Sequence, residues 1–399
     1  MTDARVRLMR HDDQDGGQIS PRMITARNAA FIGSEGGRQK LLTPALLVEL
    51  DTLDANIANM QDRCSRLGVD LRPHAKAHKT LAIAKRQLAA GAVGICVATP
   101  GEVEVFADGG ITDILLTSTF APGTTLDRLV EAANRCRLTL VLDNVDTAAA
   151  LGQAAETRGI TLRVLIDLDM GRHRSGLSEA KDLSALARIV DQADGLRLAG
   201  LQAYAGHLSH RPDLAGRMAG AEEAAVRIRK ALDVIEPFIH GEKPVVTGGS
   251  TGAFLQESAL GLYTEFQCGS YALMDAEYDV VDPDGSAKPL FPTSLFAAVR
   301  VISANHPGIA TTDGGEKRFV AKHGTAPVIR RGGRPGATYK PTSDEHGTVT
   351  LPDDEIMPVG SLFELQVPHC DPTVNLYDFI HVVRDDMLLD IWPIDARGA

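Results

Sequence analysis

The run VDLRPHAKAHK, residues 69–79, packs two lysines, two histidines and an arginine into one short stretch. A lysine that is desolvated and crowded by other cations has a lowered pKa, and its free amine can condense with a carbonyl to form a Schiff base. The same composition also fits a solvated basic patch. Two loops far downstream carry a different chemistry. TGGSTG, residues 247–252, follows an apolar run, and CGSY, residues 268–271, follows the next one. Glycines such as Gly248, Gly249 and Gly269 let backbone N–H groups approach a phosphate, and Thr251 and Ser270 add hydroxyl donors. A third stretch is VPHCDPT, residues 367–373. In an extended chain His369 and Asp371 share one face and Cys370 takes the other. One imidazole and one carboxylate suit Zn²⁺, Mn²⁺ or Mg²⁺ and leave positions open for water and substrate. DEHG, residues 344–347, reads as a solvated turn, with a further polar group for the same site as the alternative.

Two strand ends add candidates. In DLDMGRHRSG, residues 167–176, Arg174 either faces a ligand oxygen or pairs with Asp167 or Asp169. In LQAYAGHLSH, residues 201–210, Tyr204 stands where a ring can pack against a flat ligand, and His207 and His210 read as loop histidines.

These residues need a frame that brings strand ends together. Residues 45–50 form a buried-strand run, and Leu53, Ile57, Met60, Cys64 and Leu67 then recur at steps of four and three, the spacing of one helix face. Strand and helix patterns continue to alternate to about residue 270, which predicts βαβ units and a parallel sheet. Eight units over this length predict a TIM-type (β/α)8 barrel, whose active site lies at the C-terminal ends of the strands. Nine strand candidates are present, so one lies outside the barrel. No GxGxxG follows the first strand, against an open dinucleotide-binding sheet. The expected organisation is an N-terminal extension, 1–42, partly joining a β domain; an α/β barrel, 43–288; and a mostly β C-terminal domain, 289–399.

The chain has 399 residues and a formal net charge of -11, which argues against nucleic acid or an anionic membrane as partner. No apolar run is long enough to span a bilayer. Five scattered cysteines and no apolar signal core predict reduced thiols and a cytoplasmic location.

In order along the chain, LTPALLVELDTLDANI, LRPHAKAHKT, DLDMGRHRSG, LQAYAGH, TGGSTG, YTEFQCGSYALMDAEY, SDEHG and VPHCDPTVNLYD resemble the D-threonine aldolase group of fold-type III pyridoxal phosphate enzymes. They are similar to 3-hydroxy-D-aspartate aldolases and, more distantly, to eukaryotic-type D-serine dehydratases. The resemblance implies an alanine-racemase-like barrel with a C-terminal β domain, in a homodimer. It implies Lys76 as the Schiff-base lysine for pyridoxal 5′-phosphate, with Thr251, Gly269 and Ser270 on the phosphate and Arg174 and Tyr204 lining the cofactor. It implies His369 and Asp371 as ligands of a divalent metal. The expected reaction is cleavage of a D-3-hydroxy amino acid, D-threonine-like, to glycine and an aldehyde. The alternatives are dehydration of D-serine or 3-hydroxyaspartate to a 2-oxo acid and ammonia and, more distantly, a non-catalytic pyridoxal phosphate-binding protein. Dehydrating relatives carry cysteine two residues after the histidine, where this chain has Asp371, which favours the aldolase branch. Two stretches depart from the aldolase pattern: VATPGE puts Ala98 where a glutamine is expected, and TSTFAPG replaces an asparagine–glutamate pair.

Overall fold

Eight parallel strands lie in the order β2-β9-β8-β7-β6-β5-β4-β3. They are β2 (Asp70–Leu71), β3 (Ile95–Val97), β4 (Asp113–Leu116), β5 (Arg137–Leu142), β6 (Leu162–Asp167), β7 (Leu196–Ala203), β8 (Val245–Gly248) and β9 (Glu265–Phe266). The computed structural model describes residues 27–286, 288–321 and 324–399, so most of the N-terminal extension lies outside the described residues. The strand sequences are nearly continuous apolar runs because both faces are covered. Cys96, Leu115, Val141, Leu165 and Ala199, from β3 to β7, form an inner cluster. Their strand neighbours, such as Ile114, Leu116 and Leu140, belong to the large core that also holds helix residues. No regular ladder joins β2 to β3. The seam is closed by Val93 N donating to Leu71 O (2.9 Å), Cys96 N donating to Pro73 O (2.8 Å) and a bridge between His74 and Cys96. The loop that carries Lys76 therefore starts at the barrel's closure.

The helix face from Leu53 to Cys64 is buried in α1 (Leu50–Leu67), but Leu67 is exposed because Gly68, at φ 68°, ends the helix there. Helix α2 (Leu81–Ala89) follows the Lys76 loop, and α3 (Pro100–Asp108) follows β3. Thr99 caps α3 by accepting from Glu102 N, while Glu102 Oε2 accepts from Ala98 N, a reciprocal cap that fixes the turn holding Ala98.

The ninth strand candidate is the first one, and it is not in the barrel. β1 (Ala45–Glu49) pairs antiparallel with β10 (Leu295–His306) and parallel with β16 (Phe379–Arg384). It sits inside the second sheet, ordered β13-β14-β11-β10-β1-β16-β17, with β15 on β10 and β12 on β15. These are β11 (Ile309–Thr312), β12 (Val328–Arg331), β13 (Thr338–Pro341), β14 (Gly347–Thr350), β15 (Leu362–Gln366) and β17 (Met387–Pro393). Leu46 and Val48 enter the large core, whereas Ala45 and Leu47 join a small one with Phe296, Ala298 and Val383. A strand buried on both faces has the same sequence signature in either sheet, which is why its place was not readable. Segment 27–42 also docks on this sheet. Asn28 Nδ2 lies 2.9 Å from His381 Nε2, and Arg38 makes two 2.6 Å hydrogen bonds to Glu364.

Among the described residues no helix is long and apolar enough to cross a membrane.

Candidate active site

Beyond β2, Pro73 interrupts the strand and His74 caps a single 3-10 turn, Ala75–Ala77, its Nδ1 accepting from Lys76 N at 3.4 Å. The turn presents Lys76 to a pocket of about 640 Å³ at the C-terminal end of the barrel. Lys76 Nζ lies 5.8 Å from the centre of the Tyr204 ring. The expected lowering of its pKa is not what the structure gives. Burial does push the amine down, but Tyr204 and Asp371 outweigh it and hold Lys76 above the ordinary lysine value. Lys79, three residues on, leaves the pocket. Its Nζ pairs with Glu102 Oε1 at 2.8 Å and donates to Ala396 O at 3.2 Å. The two histidines also separate. His74 lines the pocket and lies 3.0 Å from Thr117 Oγ1. His78 is buried against Gln87, and burial pushes its pKa down to about 4.

The two glycine loops line the same pocket as Lys76. Gly249 adopts φ 78°, and a Cβ there would overlap the Phe266 ring. A Cβ on Gly269 would lie 2.7 Å from His74 O, so this loop packs directly on the Lys76 turn. Gly248, in β8, accepts from Gln267 N at 2.6 Å. Thr251 and Ser270 both line the pocket, and Thr251 Oγ1 accepts from Tyr271 N at 3.2 Å. Ser250 Oγ, also on the pocket wall, is buried without a hydrogen-bond partner. An orphaned hydroxyl beside a cradle closed to any Cβ fits an anionic oxygen such as a phosphate.

Arg174 and Tyr204 complete one wall. Both carboxylates considered as partners of Arg174 are engaged elsewhere. Asp167 Oδ2 accepts from Ser175 Oγ at 2.8 Å, and Asp169 Oδ1 accepts from the backbone N of Gly171, Arg172 and His173.

The remaining wall comes from the second sheet. The stretch after His369 is not extended: Cys370–Val374 is a short helix, so same-face strand spacing does not apply. His369 and Asp371 reach the same pocket nevertheless. Asp275 Oδ2 lies 3.0 Å from His369 Nδ1 and accepts from Cys370 N at 2.8 Å, which leaves His369 Nε2 for a ligand. Burial disfavours the charged ring, but Asp275 and Asp371 hold the His369 pKa above its ordinary value. For Asp371, burial acts upward and is outweighed by Lys76 and His369, so its pKa is lowered. Ser270 Oγ donates to Asp371 Oδ1 at 3.4 Å.

Among the described residues, two sets of three metal-type donors lie within 4.8 Å of one another: His210 with Glu277 and His369, and Asp275 with His369 and Cys370. Asp371 is in neither set. His210, read from sequence as a loop histidine, stacks 4.4 Å from Tyr278 and 5.7 Å from His369, and His207 lies exposed at the pocket rim. Asp275 and Glu277 were missed altogether. Their only signal was the i, i+2 acidic pair in DAE directly after the CGSY loop. DEHG is a solvated turn, with Asp344 and Glu345 paired to exposed Lys317.

Two family models match the chain: "Alanine racemase, N-terminal domain" over residues 48–277 and "Putative serine dehydratase domain" over residues 294–383. D-threonine aldolase of Arthrobacter sp is 37% identical over 89% of this chain and 93% of its own length. 3-Hydroxy-D-aspartate aldolase of Paracoccus denitrificans (strain Pd 1222) is 34% identical over 90% and 93%. The crystal structure of D-threonine aldolase from Filomicrobium marinum superimposes with a TM-score of 0.85 at 36% identity, covering 90% of this chain and 96% of that one.

Proposed function

The chain belongs to the D-threonine aldolase group of alanine-racemase-fold carbon–carbon lyases, and from that premise we propose a pyridoxal phosphate- and divalent-metal-dependent aldolase that cleaves D-3-hydroxy amino acids of D-threonine type to glycine and an aldehyde. The observation that carries this reading is a single pocket in which Lys76 stands between two glycine–hydroxyl loops and the His369 cluster. Pyridoxal 5′-phosphate supplies a carbonyl for amines and an electron sink for the carbanion left when Cα–Cβ breaks. Lys76 is the amine that holds it, Gly248, Gly249, Thr251, Gly269 and Ser270 take its phosphate, and Arg174 and Tyr204 fix its ring. His369, through the Nε2 that Asp275 leaves open, and Asp371 would hold a divalent Mn, Mg or Zn ion, which would supply Lewis acidity for a substrate hydroxyl.

The chain's own groups do the rest. Burial favours the neutral amine of Lys76, but Tyr204 and Asp371 outweigh it and hold its pKa above the ordinary value. His210 is the imidazole placed to take the 3-hydroxyl proton as Cα–Cβ breaks, with Glu277 Oε2 3.9 Å from its Nε2 to stabilise the charge. Asp275 orients His369. The homodimer is part of the same reading.

The second reading is dehydration. It is favoured by the serine dehydratase model over residues 294–383 and by the grouping of Cys370 with His369. Aspartate at position 371 weighs towards the aldolase. One product assay decides: D-threonine and D-3-hydroxyaspartate should give glycine plus an aldehyde. Oxo acid and ammonia in place of glycine would reject the aldolase reading.

A further inference from the structure

Beneath the TGGSTG loop lies a carboxyl that the reaction does not use. Glu257 belongs to the short helix Phe254–Ser258 and is fully buried. Its Oε2 accepts from Ser250 N at 3.2 Å and lies 3.4 Å from where a Cβ on Gly249 would be, so it touches the floor of the turn. Its Oε1 receives no donated hydrogen bond. The Tyr263 hydroxyl lies within hydrogen-bond reach of the carboxyl, but its one proton goes to Ala203 O at 2.9 Å, so towards Glu257 it can only accept, from a protonated acid.

The other titratable group facing Glu257 is the buried Cys268 thiol, and Tyr263 and Cys268 are both held in their neutral forms by burial. Among the described residues no lysine, arginine or histidine is paired with Glu257. A buried carboxylate with one N–H donor and no cation is poorly stabilised, whereas the same group as a neutral acid costs far less to bury. Burial accordingly raises the Glu257 pKa to about 8.

We propose that Glu257 is a positioning residue for the phosphate-binding loop and that it works as a neutral acid. Protonated, it holds the Ser250 turn from below without opposing an anion above it. Ionised, it places a negative charge directly under a bound phosphate and weakens binding. The proposal rests on the reading of 247–252 as the cofactor's phosphate loop. The sign is fixed: binding an anion favours the protonated carboxyl, so the protein takes up a proton on binding when the pH exceeds about 8, and affinity falls as pH rises through that value.

The test uses pyridoxine 5′-phosphate, which carries the phosphate but no aldehyde and so removes Schiff-base chemistry at Lys76. Its Kd for the cofactor-stripped wild-type protein should rise roughly tenfold between pH 7 and pH 9. For Glu257→Gln, which keeps the shape and stays neutral, it should change by less than about twofold beyond what the ligand itself dictates. Parallel profiles for the two proteins would overturn the proposal. A second measurement counts protons. Calorimetry in buffers of different ionisation enthalpy should show close to one proton more taken up per ligand bound by wild type than by Glu257→Gln at pH 9, and equal uptake would overturn it equally. If wild type binds neither this ligand nor pyridoxal phosphate at any pH, the cofactor reading itself fails and the proposal falls with it.

Discussion

The two ends of the pocket are built by opposite means. The glycine end is made from backbone and hydroxyls at two successive barrel strands, with each contributing loop a few residues long. The His369 end is made from charged side chains drawn from three distant segments, around His210, Asp275 and His369. The first shape is dictated locally, because glycine alone tolerates φ 78° against the Phe266 ring. The second exists only after the second sheet has docked on the barrel. A local cradle serves an anion of fixed shape, whereas an assembled cluster of acids and imidazoles can trade protons and hold a cation.

If both ends serve one reaction, the largest effect belongs to the residue between them. Lys76→Ala should lower glycine release from D-threonine by on the order of 10³-fold or more, and substantial turnover by that variant would remove the centre of the comparison. Next, His369→Ala, or exhaustive chelation of wild type, should cost about 10²-fold in turnover while the absorbance of bound cofactor persists. Loss of cofactor together with metal would show that the ends are not separate. Asp275→Asn leaves the ring in place but weakens its orientation, so Mn²⁺ affinity by titration calorimetry should fall about 10- to 100-fold. The smallest effect falls at the other end. Gly249→Ala forces a side chain into a left-handed backbone position, at a cost of about 1–3 kcal/mol, and should weaken cofactor affinity roughly tenfold without changing Mn²⁺ affinity.

The same contrast explains what could be read in the sequence. Strand–helix alternation points to the barrel because, apart from β2 on β9, its strands pair with their neighbours in the chain. The glycine loops and Lys76 can be proposed from the sequence because turns and strand ends leave local marks. The family pattern sets Lys76 apart from Lys79 in the sequence, and the fold sends Lys79 away to Glu102. The run around Lys76 points to a lowered pKa because the groups that outweigh burial, Tyr204 and Asp371, lie far from it in the chain. Asp275 and Glu277 were silent for the same reason. An acidic pair means nothing until a histidine is brought against it. The extended reading of the His369 segment failed because DPT after a cysteine also suits a first helical turn, and nothing local decides between them.

The position of β1 has a consequence for how the protein is made. Leu46 pairs on one side with Ala297 and on the other with Ile380, so the strand at the centre of the second sheet leaves the ribosome long before either neighbour. Until both arrive, the apolar stretch ALLV stays open to strands of other chains. Such distant pairing slows folding. Overproduction should therefore tax this protein most through nascent chains that meet each other first, and slower synthesis or a chaperone that shields an early strand should raise its soluble yield.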